Sequence, residues 1–270
     1  MAEAYGEAIG TFILVFFGCG SVAVDVLYGH CGLGHVALVW GIGLTLAIYC
    51  VRHLSCAHLN PAVTVAMAVA GRMTWKKVPY YLLGQFAGAF FAAAMVYVVY
   101  SGPIAEYETV HGIVRGTAQS VQTAKIFGEF YLVTSSSDSM TQIVRALVAE
   151  ALGTFLLVFA IFALTEGCNV GRPHHIITPV FIGAVLVALI SLFGPLTQAG
   201  FNPARDLAPR LLSVCLGWGE TAFPDRLGGF VMVYVLGPLA GAISASWLFT
   251  RAIAPIMVLR GQSGDCCSAK

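Results

Sequence analysis

The chain has 270 residues, of which 58% are hydrophobic and 10% charged, with a formal net charge of +1. A soluble globular domain carries about 25% charged residues, so the composition excludes an ordinary soluble domain and predicts an all-α membrane protein. No basic run points to nucleic acid, and the near-zero net charge selects no charged partner.

In chain order, six apolar stretches approach or exceed the roughly 20 helical residues that cross a hydrocarbon core. They lie at about 8–27, 35–51, 79–100, 144–165, 177–196 and 229–250. The first follows "MAEAYGEAIGTF", which has no Lys or Arg, and is too long for a cleaved signal, so it reads as a retained span. The face holding both termini and the 2–3 and 4–5 connections carries Arg52, Arg72, Lys76, Lys77, Arg172, Arg251, Arg260 and Lys270. The other face carries Arg115, Lys125, Arg145, Arg205, Arg210 and Arg226, some of them expected in folded-back segments. Eight against six is a small excess, and it favours cytoplasmic termini in a cell membrane. Of eight cysteines, Cys19, Cys31, Cys50, Cys56 and Cys168 sit in or beside apolar stretches without zinc-like spacing, and are expected as buried thiols. Cys266 and Cys267 lie in a polar tail where palmitoylation is conceivable, while "CSAK" is a poor prenylation signal.

The chain repeats itself. "GEAIGTFILVFFG" (6–18) aligns with "AEALGTFLLVFAI" (149–161), matching Glu7 to Glu150 and Gly10 to Gly153 at an offset of 143. Asn60 and Asn202 are 142 apart, as are Gly41 and Gly183; "GQFAGAFFAAA" (84–94) resembles "GPLAGAISASW" (237–247) at 153. The expected organisation is a single domain over 1–270: repeat 1 at 1–100, a connecting loop at 101–142, repeat 2 at 143–251 and a polar tail at 252–270. Three spans per half is an odd number, so the second half is inverted relative to the first.

Each half also contains Asn-Pro-Ala, in "AHLNPAVTVA" (57–66) and "GFNPARDLAP" (200–209). Asn60 and Asn202 suit an N-cap, and Pro61 and Pro203 the first helical position, followed by Ala62 and Ala204. The first of these helices is expected to end at Gly71, about 17 Å long and half a bilayer. Two re-entrant half-helices entering from opposite faces meet near the midplane and act as a seventh, broken span. Non-helical backbone at that depth must be buried or line a water-filled cavity. The loops "VRHLSCAH" and "GPLTQAG" then present carbonyl acceptors opposite apolar walls, while the Asn amides offer donors between two positive helix ends. That arrangement predicts passive conduction of small uncharged polar solutes and rejection of ions and protons.

These residues resemble the major intrinsic protein (aquaporin) superfamily over nearly the whole chain, with Cys56 where Gly is usual in "SCAHLNPAVT". "VWGIGLTLAIY", "GQFAGAFFAAAMVY", "HGIVRGTAQSVQTAKIFGEF" and "GPLT" followed by "NPARD" resemble its glycerol-facilitator, or aquaglyceroporin, branch. The resemblance implies six transmembrane helices plus two re-entrant half-helices, and one pore per subunit of a homotetramer. It assigns Arg205 to the narrow selectivity filter as a donor to solute hydroxyls that repels cations, with Trp40, Ile190 and Ala199 as the other filter positions. Asp206 and Arg210 match glycerol-branch markers. Ile190 and Ala199 depart from the facilitators, which have Gly and Phe there, as do Tyr234-Val235 in the sixth span, and the set Trp-Ile-Ala-Arg looks more like plant nodulin-type channels.

By the same resemblance Glu7 and Glu150 brace the re-entrant loops, although intramembrane carboxylates are functional candidates and proton coupling is the alternative. His58 resembles a packed loop histidine, with a pH gate as the alternative, and Tyr107, His111 and Arg115 belong to an outer segment that dips into the pore mouth. Expected partners are the bilayer and glycerol or water, with urea, ammonia or metalloid acids as alternatives; no cofactor, metal or enzymatic activity is expected. A secondary active transporter also uses inverted repeats, but needs an ion site that this centre lacks.

Overall fold

The computed structural model describes residues 2–131, 139–224 and 228–263, and Cys266, Cys267, Lys270 and Arg226 lie outside them. Among the described residues, six helices are long and apolar enough to cross a membrane. The first repeat has α1 (Ala2–Tyr28), α2 (Gly32–Val51), the short α3 (Pro61–Val69) and α4 (Val78–Val110). A connection carrying the one-turn α5 (Val121–Ala124) leads to α6 (Ser139–Thr165), α7 (Thr178–Thr197), the short α8 (Pro203–Ser213) and a sixth span over Gly228–Arg260.

The inverted symmetry is visible in the packing. α1 packs on α2 and α4, as α6 packs on α7 and the sixth span, and each short helix crosses over to the other repeat. α8 lies on α4, and α3 on the sixth span, where Ser246 Oγ donates to the Ala66 carbonyl at 2.9 Å. The glycines of the repeat explain these approaches. A Cβ on Gly88 would overlap the Ala8 carbonyl oxygen, and one on Gly241 would overlap that of Ala151, the equivalent contact in the second half. α2 and α7 cross at Gly41 and Gly183. A Cβ on either would come within 2.6 or 2.5 Å of the other's carbonyl oxygen, which places the pseudo-twofold axis between two equivalent residues. Such backbone proximity is available only to small residues.

The helices extend beyond the apolar stretches. α4 continues past residue 100 to Val110, so residues 101–110 are helical, and the last helix runs to Ser263 rather than giving way to a tail at 252. Polar residues at helix ends do not interrupt the hydrogen-bond ladder once it leaves the hydrocarbon. α3 is shorter than expected, ending at Val69 with Ala70 as its C-cap. Conversely "GPLT" belongs to α7, with Pro195 inside the helix, so the second re-entrant loop is only Gln198–Asn202. Of the cysteines expected to be buried only Cys19 is; Cys31 is intermediate, Cys50 is exposed on the outward face of α2, and Cys56 and Cys168 are exposed in the connections after α2 and α6.

Candidate pore and selectivity filter

The two re-entrant loops are built alike. Each Asn is extended (φ −157° at Asn60, −147° at Asn202) and its Oδ1 caps the helix that follows. Asn60 Oδ1 accepts from Ala62 N at 2.8 Å; Asn202 Oδ1 accepts from Ala204 N and Arg205 N at 3.1 and 3.2 Å. Their amide groups reach across the axis. Asn60 Nδ2 donates to the Phe201 carbonyl at 2.8 Å and Asn202 Nδ2 to the Leu59 carbonyl at 2.7 Å, the residues directly after the two stretches expected to present carbonyls. Each amide retains a second N–H, and both Asn residues line the same cavity.

Non-glycine residues with positive φ occur at equivalent places: Ala57 and Leu59 in one loop, Ala199 and Phe201 in the other, with Gln198 added. A left-handed backbone costs roughly 1–2 kcal/mol per residue, and the carboxylates supply the compensation. Glu7 accepts from Ser55 Oγ at 2.7 Å, His58 N at 3.0 Å, Leu59 N at 2.6 Å and Gln85 Nε2 at 2.7 Å. Glu150 accepts from Thr197 Oγ1 at 2.6 Å, Gly200 N at 2.9 Å and Phe201 N at 2.7 Å. Ser55, His58 and Leu59 correspond to Thr197, Gly200 and Phe201 in the repeat, so the brace is duplicated with the fold. His58 is packed: its Nδ1 lies 3.2 Å from Thr64 Oγ1 and its ring 4.8 Å from that of Tyr81.

A cavity of about 930 Å³ runs from a mouth bearing Arg52, Arg72, Arg172, His174 and His175 to Trp40, Ile190, Ala199 and Arg205. One wall is apolar, with Leu44, Ile48, Leu186 and Ile190; the other carries the loop residues and both Asn. Among the described residues lining it, none is acidic. The four positions that the resemblance assigns to a filter thus line one cavity. Trp40 is pinned because Gly18 leaves room for the indole, and the Arg205 guanidinium carbon lies 4.0 Å from the Trp40 ring centroid.

Asp206 and Arg210 are brought to the same helix but not into the pore. Both are fully buried, and they pair at 2.7 Å behind the filter. Asp206 Oδ1 accepts from Glu129 N at 2.7 Å, and Arg210 Nη2 donates to the Glu129 carbonyl at 2.6 Å. The markers therefore act by anchoring the outer connection. The outer segment also departs from expectation: Tyr107 is helical and stacks on His111 at 4.0 Å, while Arg115 is held by Glu108 at 3.0 Å and lies 3.9 Å over the Trp218 ring. None of the three lines the cavity; Glu129 reaches Arg205 instead, because α8 grips its backbone through Asp206 and Arg210. Sequence reasoning missed Glu129, whose carboxylate forms an ion pair with Arg205. The signal available was an acidic residue inside the apolar "IFGEFYL" of a chain with only 13 acidic residues.

Fold and site together define a polytopic membrane protein with an inverted repeat and one pore built from two re-entrant loops. The profile of the Major intrinsic protein family matches residues 1–249, and the chain belongs to that family. It is 39% identical over 254 residues to the glycerol uptake facilitator protein of Haemophilus influenzae, covering 93% of this chain and 94% of that one. It is 35% identical to a propanediol uptake facilitator of Salmonella typhimurium, covering 92% of each. Its fold is similar to that of the aquaglyceroporin from Plasmodium falciparum, with a TM-score of 0.81 and 26% identity over 96% of this chain and 98% of that one.

Proposed function

We propose that the chain is a passive channel for glycerol and water, with other short polyols as co-substrates. The observation that carries this reading is the two-sided cavity: Leu44, Ile48, Leu186 and Ile190 meet the carbon backbone of a polyol, while Arg205 and the amides of Asn60 and Asn202 meet its hydroxyls. A wall of Leu and Ile opposite a wall of hydrogen-bonding groups suits a molecule with the same two faces. The absence of acidic groups among the described cavity-lining residues supports passive conduction over ion-coupled transport.

The names of the relatives, facilitators of glycerol and propanediol uptake, support the same solute class. The site roles follow: Asn60 and Asn202 order solutes at the midplane, Trp40, Ile190, Ala199 and Arg205 select them, and Glu7 and Glu150 brace the loops. The functional unit is a homotetramer in the cell membrane, with the face that bears Arg52, Arg72 and Arg172 on the cytoplasmic side. A second reading, conduction of metalloid acids or ammonia, is favoured by Ala199, which leaves room beside Arg205 that a ring would fill.

Stopped-flow light scattering of purified protein in liposomes tests both. Fast glycerol flux that falls in Trp40→Ala is expected. Water flux without glycerol flux would overturn the polyol reading, and boric acid outcompeting glycerol would favour the second.

A further inference from the structure

We propose that Glu129 is a positioning residue of the filter: the outer connection holds its carboxylate against the Arg205 guanidinium, which orients that side chain and makes the constriction charge-neutral. The proposal rests on the channel reading above. Glu129 is 4% exposed and Arg205 5%, and their side chains form an ion pair. Two charges withdrawn from water persist only when each balances the other. The remaining buried charges nearby, Asp206 and Arg210, are already paired with one another.

The placement of Glu129 is over-determined. Its N–H donates to Asp206 Oδ1 at 2.7 Å and its carbonyl accepts from Arg210 Nη2 at 2.6 Å. The next residue, Phe130, donates its N–H to Gln198 Oε1 at 2.8 Å, which ties the segment to the second re-entrant loop. On the other side, a Cβ at Gly128 would approach the Arg210 guanidinium carbon to 2.7 Å, so a larger residue there would displace the Arg210 side chain. These backbone anchors bring the Glu129 carboxylate to Arg205.

The functional consequence concerns charge. An unpaired Arg205 would add a full positive charge to the two half-helix ends, each equivalent to about half a charge. With Glu129 in place the filter contributes no net charge, and cation rejection falls to the midplane pair of helix ends.

The test compares glycerol and methylammonium fluxes in liposomes for the native chain, Glu129→Gln, Arg205→Val and the double variant, with thermal unfolding in detergent for each. Arg205→Val leaves a lone carboxylate at the filter and is expected to pass methylammonium about tenfold or more faster than the double variant. Glu129→Gln keeps both backbone anchors and is expected to lose glycerol flux severalfold. It also keeps the proposal testable should Arg205→Val fail to fold. Equal methylammonium flux in the single and double Arg205 variants, or native glycerol flux in Glu129→Gln, would overturn the role of Glu129. A native chain that passes no glycerol would overturn the channel reading along with it.

Discussion

Replacing Glu150 by Gln keeps its volume and removes its charge. A Gln carbonyl in the Oε1 position retains the bonds from Thr197 Oγ1 and Gly200 N, now 2.6 and 2.9 Å from Glu150. The amide nitrogen then faces Phe201 N–H, donor to donor, where Oε2 accepts at 2.7 Å. Hydrogen bonds to charged groups contribute about 1.5–3 kcal/mol each. One is lost outright and two are weakened, so the expected destabilisation is about 2–4 kcal/mol. The damage reaches the pore directly, because that bond holds Phe201 at φ 52° and the Phe201 carbonyl accepts the Asn60 amide at 2.8 Å. Thermal unfolding of the detergent-solubilised protein should shift down by on the order of 5 °C, and glycerol flux in liposomes should fall with it. Glu7→Gln should behave alike, since the brace is duplicated. An unchanged unfolding midpoint, combined with a flux whose pH dependence disappears in Glu150→Gln, would refute the brace and make Glu150 a proton relay.

Asp206→Ser should be severely destabilising, by about 3–5 kcal/mol, because it leaves the fully buried Arg210 without its 2.7 Å partner; Asp206→Ser combined with Arg210→Met should recover much of that loss in thermal unfolding. Ile190→Gly, at a filter position that is 2% exposed, should raise the ratio of glycerol to water flux in stopped-flow measurements, since it removes a branched wall from the constriction. Gly41→Val should abolish assembly of the two halves, read as loss of a folded peak in detergent chromatography, because its side chain would enter the Gly183 backbone.

Much of the fold was legible because the membrane imposes a coarse code. Span length, parity and the internal repeat all follow from hydrophobic runs and from landmarks such as Glu7 and Glu150, whose roles require equivalent places in each half. The Asn-Pro pairs announced helix starts because capping is a local matter of one side chain and two or three backbone N–H groups. The ends of those helices were less legible. Whether "GPLT" continues α7 or begins a loop depends on what α7 packs against, and Pro195 inside the helix removes the cue that would have marked the boundary.

The sequence by itself determined that this is a six-span inverted repeat with two half-helices meeting on Asn60 and Asn202, because periodicity, capping and parity are properties of the chain order. Only the tertiary structure decided what the charged residues do. Asp206 and Arg210 look like pore markers on a linear reading, yet they lie behind the filter and grip residues 129 and 130 from a distant connection. Glu129 is 76 residues from Arg205 in the chain, and only folding brings their charges together. Electrostatic partnership depends on distance in space, on which hydrophobic patterning is silent, and so the charge of the filter could be read only once the loops were in place.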